Sequence, residues 1–221
     1  MSETRSYKNE SAGDVGVQIR HMMRADAQQV FELAQKCGLS FWSKADYEKE
    51  TEREDSFAAV SELRGKINGF IIMRLITTLV KHHPAKYPAK YPENIKFELE
   101  KDPHNKHKQH NLLDNNPVFD TVEAEIYNIA VSKDCRENGI GANLLQNAFR
   151  YILDKSEGVS ATVWLEVRKS NQTAINFYLG NFFAISYERK NFYSNPSENA
   201  LVLKTRIKAA GNAHDTADKL A

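Results

Sequence analysis

In the first eighty residues the spacing of hydrophobic positions changes between the two-residue repeat of a strand and the 3.6-residue repeat of a helix. Short apolar or alternating runs predict strands at residues 15–19, 57–63 and 67–75, the last two forming a β-hairpin around a glycine-containing turn. A stripe at helical spacing predicts a helix that stops at Gly38, a residue type suited to the left-handed position after a helix. The stripe consists of Val30, Leu33, Ala34 and Cys37. Ser43, with an acidic residue three positions later, predicts the capped start of a second short helix.

After residue 122 strands and helices are predicted in alternation. Strands are expected at residues 125–131, 161–167, 182–187 and 200–207, the last two on either side of an Asn-Pro-Ser turn. A long helix is predicted from the helical spacing of Ile140, Leu144, Leu145, Ala148 and Ile152. A shorter helix carries Ala174, Phe177 and Tyr178, with Ser170 or Asn171 placed to cap it. The pattern indicates an α/β protein with a central sheet.

One domain is expected over residues 15–207, with flexible polar ends at 1–14 and 208–221. Residues 81–121 differ in composition and are interpreted as a surface insertion in that domain. Five of the seven histidines fall there: His82, His83, His104, His107 and His110. No cysteine accompanies them, so we interpret them as part of a solvated segment and expect no metal site.

Composition narrows the class of protein. The 221 residues carry a formal net charge of +1, which gives no reason to expect nucleic acid or an anionic membrane as a partner. Cys37 and Cys135 are too few for a disulfide framework and are expected to be reduced. No apolar run approaches the length of a membrane span, and the polar N-terminus does not resemble a signal peptide. We therefore expect a cytoplasmic protein that is a monomer or weak dimer.

The loop at residues 136–142, RENGIGA, lies between a predicted strand and a predicted helix. Gly139 and Gly141 would let the backbone approach a ligand, and the helix N-terminus would offer free N–H groups to a phosphate. The loop lacks the Gly-Lys-Ser/Thr of a Walker motif and the spacing of a dinucleotide fingerprint. From spacing alone, a phosphate cradle and an ordinary tight turn remain equally open.

Three stretches together resemble a known family: RENGIGA, WLEVRKSNQTAINFY at 164–178 and ERKNFYSNPSENALVL at 188–203. The chain resembles the GNAT superfamily of acetyl-CoA-dependent N-acetyltransferases, over roughly residues 17–80 and 122–207. Within it, the chain is most similar to the ribosomal-protein alanine N-acetyltransferase (RimI) branch. This implies the GNAT fold, a mixed sheet of about six to seven strands splayed between strands four and five, with flanking helices. Phe182 stands where the family has glycine, which predicts a reshaped or shifted turn after the short helix.

The resemblance implies acetyl-CoA as co-substrate and assigns residues to it. The loop residues would bind the pyrophosphate: Arg136, Glu137, Asn138, Gly139, Ile140, Gly141 and Ala142. The strand before the loop would follow the pantetheine arm and donate a backbone N–H to the thioester oxygen from Ile129, Ala130 or Val131. Asn171 would contact the cofactor through its amide.

The resemblance also implies the catalytic residues. Glu166 would act as the base, through water, and Tyr178 would bind near the cofactor and protonate the departing thiolate. The structural alternatives are that Glu166 pairs with Arg168 or is exposed, and that Tyr178 is a core aromatic. Cys135 is interpreted as structural.

The acceptor groove is expected to involve four apolar or aromatic residues, which would otherwise belong to a satellite of the core: Leu39, Phe41, Trp42 and Tyr193. The leading interpretation is acetylation of a protein N-terminal α-amine, with a ribosomal protein among the possible partners. A second is acetylation of a lysine side chain or small amine, for which Glu123 and Glu125 are nearby carboxylates. A third is a non-catalytic module that binds acyl-CoA.

Overall fold

A computed structural model describes residues 16–39, 41–77, 122–156 and 160–208. The predicted insertion at 81–121, its histidines and almost all of the two predicted flexible ends lie outside the described residues. The strands are β1 Gln18–His21, β2 Ser56–Leu63, β3 Lys66–Thr77, β4 Val122–Val131, β5 Ala161–Arg168, β6 Ala184–Ser194 and β7 Ser197–Ile207. The helices are α1 Ala27–Lys36, α2 Lys44–Glu50, α3 Ile140–Lys155 and α4 Gln172–Gly180.

All seven strands join one mixed sheet in the order β1-β2-β3-β4-β5-β7-β6. Only β4 and β5 among the described strands pair in parallel, and α3 is the helical connection between them. The predicted mixed sheet with flanking helices is therefore confirmed.

The sheet separates two hydrophobic cores. On one face α3 packs against alternate residues of β3, β4, β5 and β7, and Leu144, Ile152 and Leu203 are fully buried there. On the other face α1 and α2 cover β2 and β3, with Tyr47 and Phe70 fully buried. The part of this second face that lies over β5, β7 and β6 is not covered by a helix among the described elements, and we name it the open face.

The β4–β5 pairing stops midway along both strands. The paired residues run from 122–126 on β4 and 161–165 on β5. Beyond them β4 stays paired with β3 as far as Val131, and β5 stays paired with β7 as far as Arg168. The two strands therefore diverge after Ile126 and Leu165, which confirms the predicted splay and leaves a gap between their ends.

A β-bulge interrupts β4 at the start of this gap. Met73 pairs with Ile126 and Ile72 with Asn128, so Tyr127 is the extra residue. A bulge shifts the side-chain alternation of the strand by one position. Tyr127 is 41% exposed, and beyond it the even-numbered Ala130 packs in the core opposite to that of Ile126.

Five predicted strands differ from those observed by two or more residues at one end. β3 extends to Thr77, and β4 begins three residues earlier than predicted, at Val122. β1 begins at Gln18, three residues later than expected, and extends to His21. Pairing with β2 holds the polar residues 20 and 21 in the sheet, and the Arg20 guanidinium contacts both Asp26 and Glu62. β6 starts two residues later than predicted and extends to Ser194, while β7 begins earlier, at Ser197. These polar ends pair with each other around the Asn-Pro turn, although neither has a buried face.

The turn after α4 corrects one prediction. Phe182 was expected to force a reshaped turn, but it adopts a left-handed φ of 69° within a regular helix-ending hydrogen-bond pattern. Its side chain is 65% exposed. The backbone thus keeps the geometry that glycine favours and accepts strain at Phe182.

Candidate active site

The loop before α3 has the backbone form of an anion cradle. Glu137 and Gly139 have φ values of 65° and 74°, and α3 begins immediately afterwards at Ile140. The first N–H groups of α3 have no carbonyl partner within the helix, and they carry the positive end of its dipole. Asn138 Nδ2 donates to the Arg136 carbonyl at 3.2 Å and holds the loop closed. The predicted phosphate-binding residues therefore fit an anionic group.

Gly141 has a packing role besides the one expected. A Cβ on Gly141 would lie 3.0 Å from the Phe177 ring of α4, whereas a Cβ on Gly139 would meet nothing within 4 Å. Gly141 is therefore required for close packing of α3 against α4. Its backbone N–H still lies in the first turn of α3, so its predicted contact with the cofactor stays a prediction.

Backbone donors line the gap in an alternating pattern. Ser132 N–H donates to Asn68 O on β3 at 2.7 Å. In an antiparallel pair, alternate residues turn their N–H groups to the same side. Ala130 therefore also turns its N–H toward β3, while Ile129 and Val131 turn theirs toward the gap. Of the three predicted donors, Ala130 is the one whose N–H is directed away from the gap.

Glu166 lies one residue beyond the last β4–β5 pair, on the open face. Its carboxylate Oε1 accepts from Arg189 Nη1 of β6, and its side chain is 18% exposed. The alternative partner Arg168 instead pairs with Glu198 at 3.2 Å and lies over the Tyr193 ring, 4.1 Å from its centroid. Arg189 reaches Glu166 diagonally across β7, where Ala200 lies opposite Arg189 and Val202 lies opposite Glu166.

Tyr193 interacts electrostatically with both Tyr178 and Glu166. Burial, followed by the neighbouring Tyr193, raises the pKa of Tyr178. Burial and then the negative charge of Glu166 raise the pKa of Tyr193. Tyr178 is also packed between Phe177 and Phe183, so it is both a core aromatic and a buried, protonated phenol. Tyr193 thus connects Tyr178 with Glu166, and the catalytic roles of Glu166 and Tyr178 stay predictions.

The predicted acceptor-binding residues of the α1–α2 loop divide into two groups. Leu39 and Trp42 are half-buried against the second core, whereas Phe41 is 66% exposed. Arg74 lies over both the Trp42 ring, at 5.4 Å, and the Tyr127 ring, at 4.4 Å. Through these contacts the loop is fastened to the bulge of β4.

Other charged residues of this region were not predicted from the sequence. Arg74 is ion-paired with Glu50, whose side chain is only 2% exposed, and Arg189 has the role described above. Glu125 appeared only as an alternative base, and it interacts with Tyr127 and Glu166. The exposed Tyr127 within a strand was an available signal, whereas nothing in the sequence distinguished Arg74 or Arg189.

Two further predicted positions have structural roles. Asn171 Oδ1 accepts from Ala174 N–H at 3.2 Å and caps α4, which confirms one of the two proposed caps. Its contact with a cofactor stays a prediction. Cys135 packs against the main core and is a free thiol, as is Cys37. Within the described ranges no group of three His, Cys, Asp or Glu side chains is arranged to hold a metal ion.

The diverging parallel pair β4–β5 and the Gly-containing loop before α3 are features of the fold that the family resemblance implies. The acetyltransferase (GNAT) family matches residues 27–180, and the chain belongs to that family. Members of this family are acetyltransferases. None of the helices that the structure describes is long and apolar enough to cross a membrane.

Its curated relatives include alanine N-acetyltransferases. The chain is 39% identical over 89 residues to the [ribosomal protein bS18]-alanine N-acetyltransferase of Escherichia coli K12, and 38% identical over the same length to that of Salmonella typhimurium. These matches cover 38% of this chain, and they span 57% of the length of the curated relatives.

Solved structures share the fold over a longer part of the chain. The E. coli ribosomal-protein-S18-alanine N-acetyltransferase has a TM-score of 0.60 at 22% identity, covering 89% of this chain and 97% of that one. Ard1 from Thermoplasma volcanium has a TM-score of 0.62 at 22% identity, covering 88% and 99%. Arabidopsis thaliana Naa50, solved with a bisubstrate analogue, has a TM-score of 0.59 at 16% identity, covering 85% and 97%.

Proposed function

We propose that the protein acetylates the N-terminal α-amine of a protein or peptide, by direct transfer while both substrates are bound. The observation that supports this most is that Glu166 lies beside the gap between β4 and β5, with Tyr193 interacting electrostatically with both Glu166 and Tyr178. An amine on the open face would there meet a carboxylate, a protonated phenol and backbone N–H donors. No protein nucleophile is required when both substrates are held together.

An α-amine suits this site because it gives up its proton easily. Its pKa is about 7.7–8.0, whereas that of a lysine side chain is about 10.4. A carboxylate such as Glu166 then needs only to capture protons from a group that is already partly neutral at pH 7. The local similarity to alanine N-acetyltransferases supports an N-terminal acceptor, and a ribosomal protein is one candidate.

Each side chain has a distinct part in this proposal. Glu166, directly or through water, accepts the proton that the amine loses when it attacks the thioester carbonyl. The N–H groups of Ile129 and Val131 stabilise the negative charge that develops on the carbonyl oxygen. Tyr178 donates its proton to the departing sulfur. The loop at residues 136–142 binds the pyrophosphate, and Arg136 adds positive charge.

The acceptor peptide would lie on the open face between the α1–α2 loop and the β6–β7 pair. Phe41 on one side and Tyr193 on the other are the predicted contacts, and Leu39 and Trp42 support the loop from beneath. The expected cytoplasmic location and a monomeric or weakly dimeric state belong to the same proposal.

Thiol release from acetyl-CoA tests the proposal with two matched peptides. One begins with a free Ala and contains no lysine, and the other is N-terminally blocked and carries one internal Lys. Turnover of the first peptide alone, abolished by Glu166→Gln, is the expected result. Turnover of the blocked peptide would instead assign side-chain acetylation. Turnover of a polyamine alone would assign a small-molecule acceptor, and acetyl-CoA binding without any turnover would favour a non-catalytic module.

A further inference from the structure

The Arg74 guanidinium on β3 contacts three different elements at once. Its Nε donates to Glu50 Oε2 at 3.0 Å and its Nη2 donates to Glu50 Oε1, so the last residue of α2 binds it through both oxygens. The same guanidinium lies over the Tyr127 ring of the β4 bulge and the Trp42 ring of the α1–α2 loop. One side chain therefore links α2, the loop and the bulge.

Glu50 fixes the orientation of this guanidinium. Its side chain is almost fully buried, and its Oε2 also accepts a hydrogen bond from Ser56 Oγ at 2.8 Å. A buried carboxylate needs donors for its oxygens, and a guanidinium supplies two of them in a single plane. The pair therefore sets the plane in which Arg74 stacks on its aromatic neighbours. A lysine at this position would keep the charge but would lose the two parallel hydrogen bonds and the flat surface.

Trp42 is held from more than one direction. Its ring centroid is 5.2 Å from that of Tyr47 on α2 and 6.1 Å from that of Tyr127. Tyr47 is fully buried in the second core, so this contact anchors the indole on one side. Arg74 and Tyr127 supply the contacts toward β4. Phe41, which precedes Trp42, is largely exposed, and its position depends on how Trp42 packs.

The linked loop lies next to the place where the sheet opens. Arg74 is directly opposite Glu125 in the β3–β4 register, and β4 stops pairing with β5 at Ile126. Tyr127 is the next residue, so the ring that stacks on Arg74 belongs to the first residue of β4 beside the gap. The contacts of Arg74 therefore join the predicted acceptor loop to the predicted reaction gap.

We propose that Arg74 is a positioning residue: paired with Glu50, it holds the α1–α2 loop against the β4 bulge in the arrangement that binds the acceptor. This rests on the proposed acetylation of an amine in the gap. It assigns Arg74 to acceptor binding, and no bond is made or broken at its guanidinium. Loss of its contacts should therefore weaken acceptor binding while leaving the chemical step and the cofactor loop at residues 136–142 unchanged.

Arg20 is a matched control for the stability that such a pair contributes. Like Arg74, it is about a quarter exposed and binds a buried acid, Asp26, through both oxygens. It lies on β1 at the edge of the sheet, two strands away from β3, where it also pairs with Glu62. Replacing either arginine by lysine should disturb a buried carboxylate to a similar extent. Only the replacement of Arg74 should change how the acceptor binds.

The test measures kcat and KM for the free-Ala peptide at saturating acetyl-CoA in wild type, Arg74→Lys and Arg20→Lys. Arg74→Lys should raise the acceptor KM about tenfold or more and change kcat less than about threefold, the pattern of lost ground-state binding. Arg20→Lys should lower the melting temperature by a similar amount and leave kcat and KM within about twofold of wild type. An unchanged acceptor KM in Arg74→Lys, or an equal rise in Arg20→Lys, would overturn the proposal.

Tyr127→Leu tests the same link without leaving a buried charge unpaired. It removes the ring beside the guanidinium and keeps the Arg74–Glu50 pair, so the protein should stay folded while the acceptor KM rises as in Arg74→Lys. A Tyr127→Leu protein with the acceptor KM of wild type would contradict the proposal even if Arg74→Lys failed to fold.

A double-mutant cycle provides a measurement that does not depend on turnover. Peptide affinity is measured by titration in the presence of CoA for Arg74→Lys, Trp42→Leu and the double variant. Each single change should weaken binding, and the double variant should be little weaker than either, because both changes act through one contact. In the Arg20→Lys background Trp42→Leu should keep its full effect. Losses that simply multiply in the Arg74–Trp42 double variant would show that the two residues act independently and would refute the proposed link.

The outcome is distinct from that of the proposed function. If wild type acetylates a lysine peptide or a polyamine and not the free-Ala peptide, the N-terminal assignment fails. The KM comparison is then made with that amine, and it decides the role of Arg74 in the same way. If wild type binds acetyl-CoA but neither acetylates nor binds any of these amines, both proposals fail.

Discussion

Gly38 and Phe182 occupy the same position in two copies of one helix-ending hydrogen-bond pattern. After α1, Gly38 N–H donates to Gln35 O at 3.0 Å and Leu39 N–H to Ala34 O at 2.8 Å. After α4, Phe182 N–H donates to Leu179 O at 3.3 Å and the N–H of the next residue to Tyr178 O at 3.1 Å. Both residues have positive φ, which glycine adopts freely and phenylalanine does not.

Replacing Phe182 by glycine should stabilise the protein. The left-handed conformation costs an ordinary residue about 1–2 kcal/mol, and glycine adds an entropic cost of about 0.5–1 kcal/mol. Because Phe182 is largely exposed, little packing is lost, and the free energy of unfolding should rise by about 0.5–1 kcal/mol. Urea denaturation measures this. Gly38→Phe is the reciprocal control and should destabilise by about 1–2 kcal/mol. A less stable Phe182→Gly protein would mean that the ring contributes more packing than its exposure indicates.

Tyr178→Phe should separate chemistry from structure. Phenylalanine fills the same space between Phe177 and Phe183, so stability and acetyl-CoA affinity should be nearly unchanged. Loss of a general acid should lower kcat by about 100-fold. Because burial raises the pKa of Tyr178, its phenol should stay protonated, and it should cause no loss of wild-type activity up to pH 9.5. Turnover close to wild type in this variant would exclude the acid role, and steady-state thiol release is the measurement.

Gly141→Ala and Gly139→Ala should both destabilise the protein, but for different physical reasons. Only the loss of stability in Gly141→Ala should be recoverable by a second substitution. The new Cβ at position 141 would lie 3.0 Å from the Phe177 ring, so overpacking should cost about 1–3 kcal/mol. A second substitution, Phe177→Leu, should recover part of that loss. At position 139 the Cβ has space but φ is 74°, so the cost is backbone strain, and Phe177→Leu should give no rescue. Equal rescue of both variants would contradict this difference, and thermal melts of the four proteins provide the comparison.

Asp26 should contribute stability that acid removes. Burial would raise its pKa, but hydrogen bonds from the Arg20 guanidinium and Met23 N–H, with the charge of Arg20, outweigh burial and lower it. The folded pKa lies below the unfolded value, so the contribution is complete above about pH 4 and is lost as pH falls through the folded pKa.

The stability difference between wild type and Asp26→Asn should therefore be largest near pH 7 and shrink below pH 4. Glu32→Gln, an exposed carboxylate on α1, is the control and should show a small difference at both values. Urea midpoints across pH 3–7 provide the measurement. A difference independent of pH would mean that the Arg20–Asp26 ion pair contributes nothing through charge.

The sequence predicted elements whose signals are local. The Ser43 cap with its reciprocal Asp46 contact, the Gly38 helix end and the α3 stripe were all confirmed, because each depends on residues within one or two helical turns. The splay was predicted only through family resemblance. It arises from where two distant strands stop pairing, which no local pattern contains.

The charged contacts of the site could not be predicted from the sequence for the same reason. The contact of Arg189 with Glu166 depends on the strand order β5-β7-β6 and on the register, which places Ala200 opposite Arg189 and Val202 opposite Glu166. The bulge at Tyr127 shifts the alternation of β4, so neighbours predicted from a regular strand are wrong beyond it. Side-chain partners across a sheet follow from topology, which is established only when the chain is folded.

The splay also has a consequence for amide hydrogen exchange. Ile129 and Val131 direct their N–H groups into the gap, while Ala130 and Ser132 direct theirs to β3. Without a ligand, the exchange rates along this short stretch should therefore alternate between fast and slow. Acetyl-CoA should selectively slow the two fast amides. In the gap between β4 and β5 the substrate would then take the place of a neighbouring strand as the hydrogen-bond partner of β4.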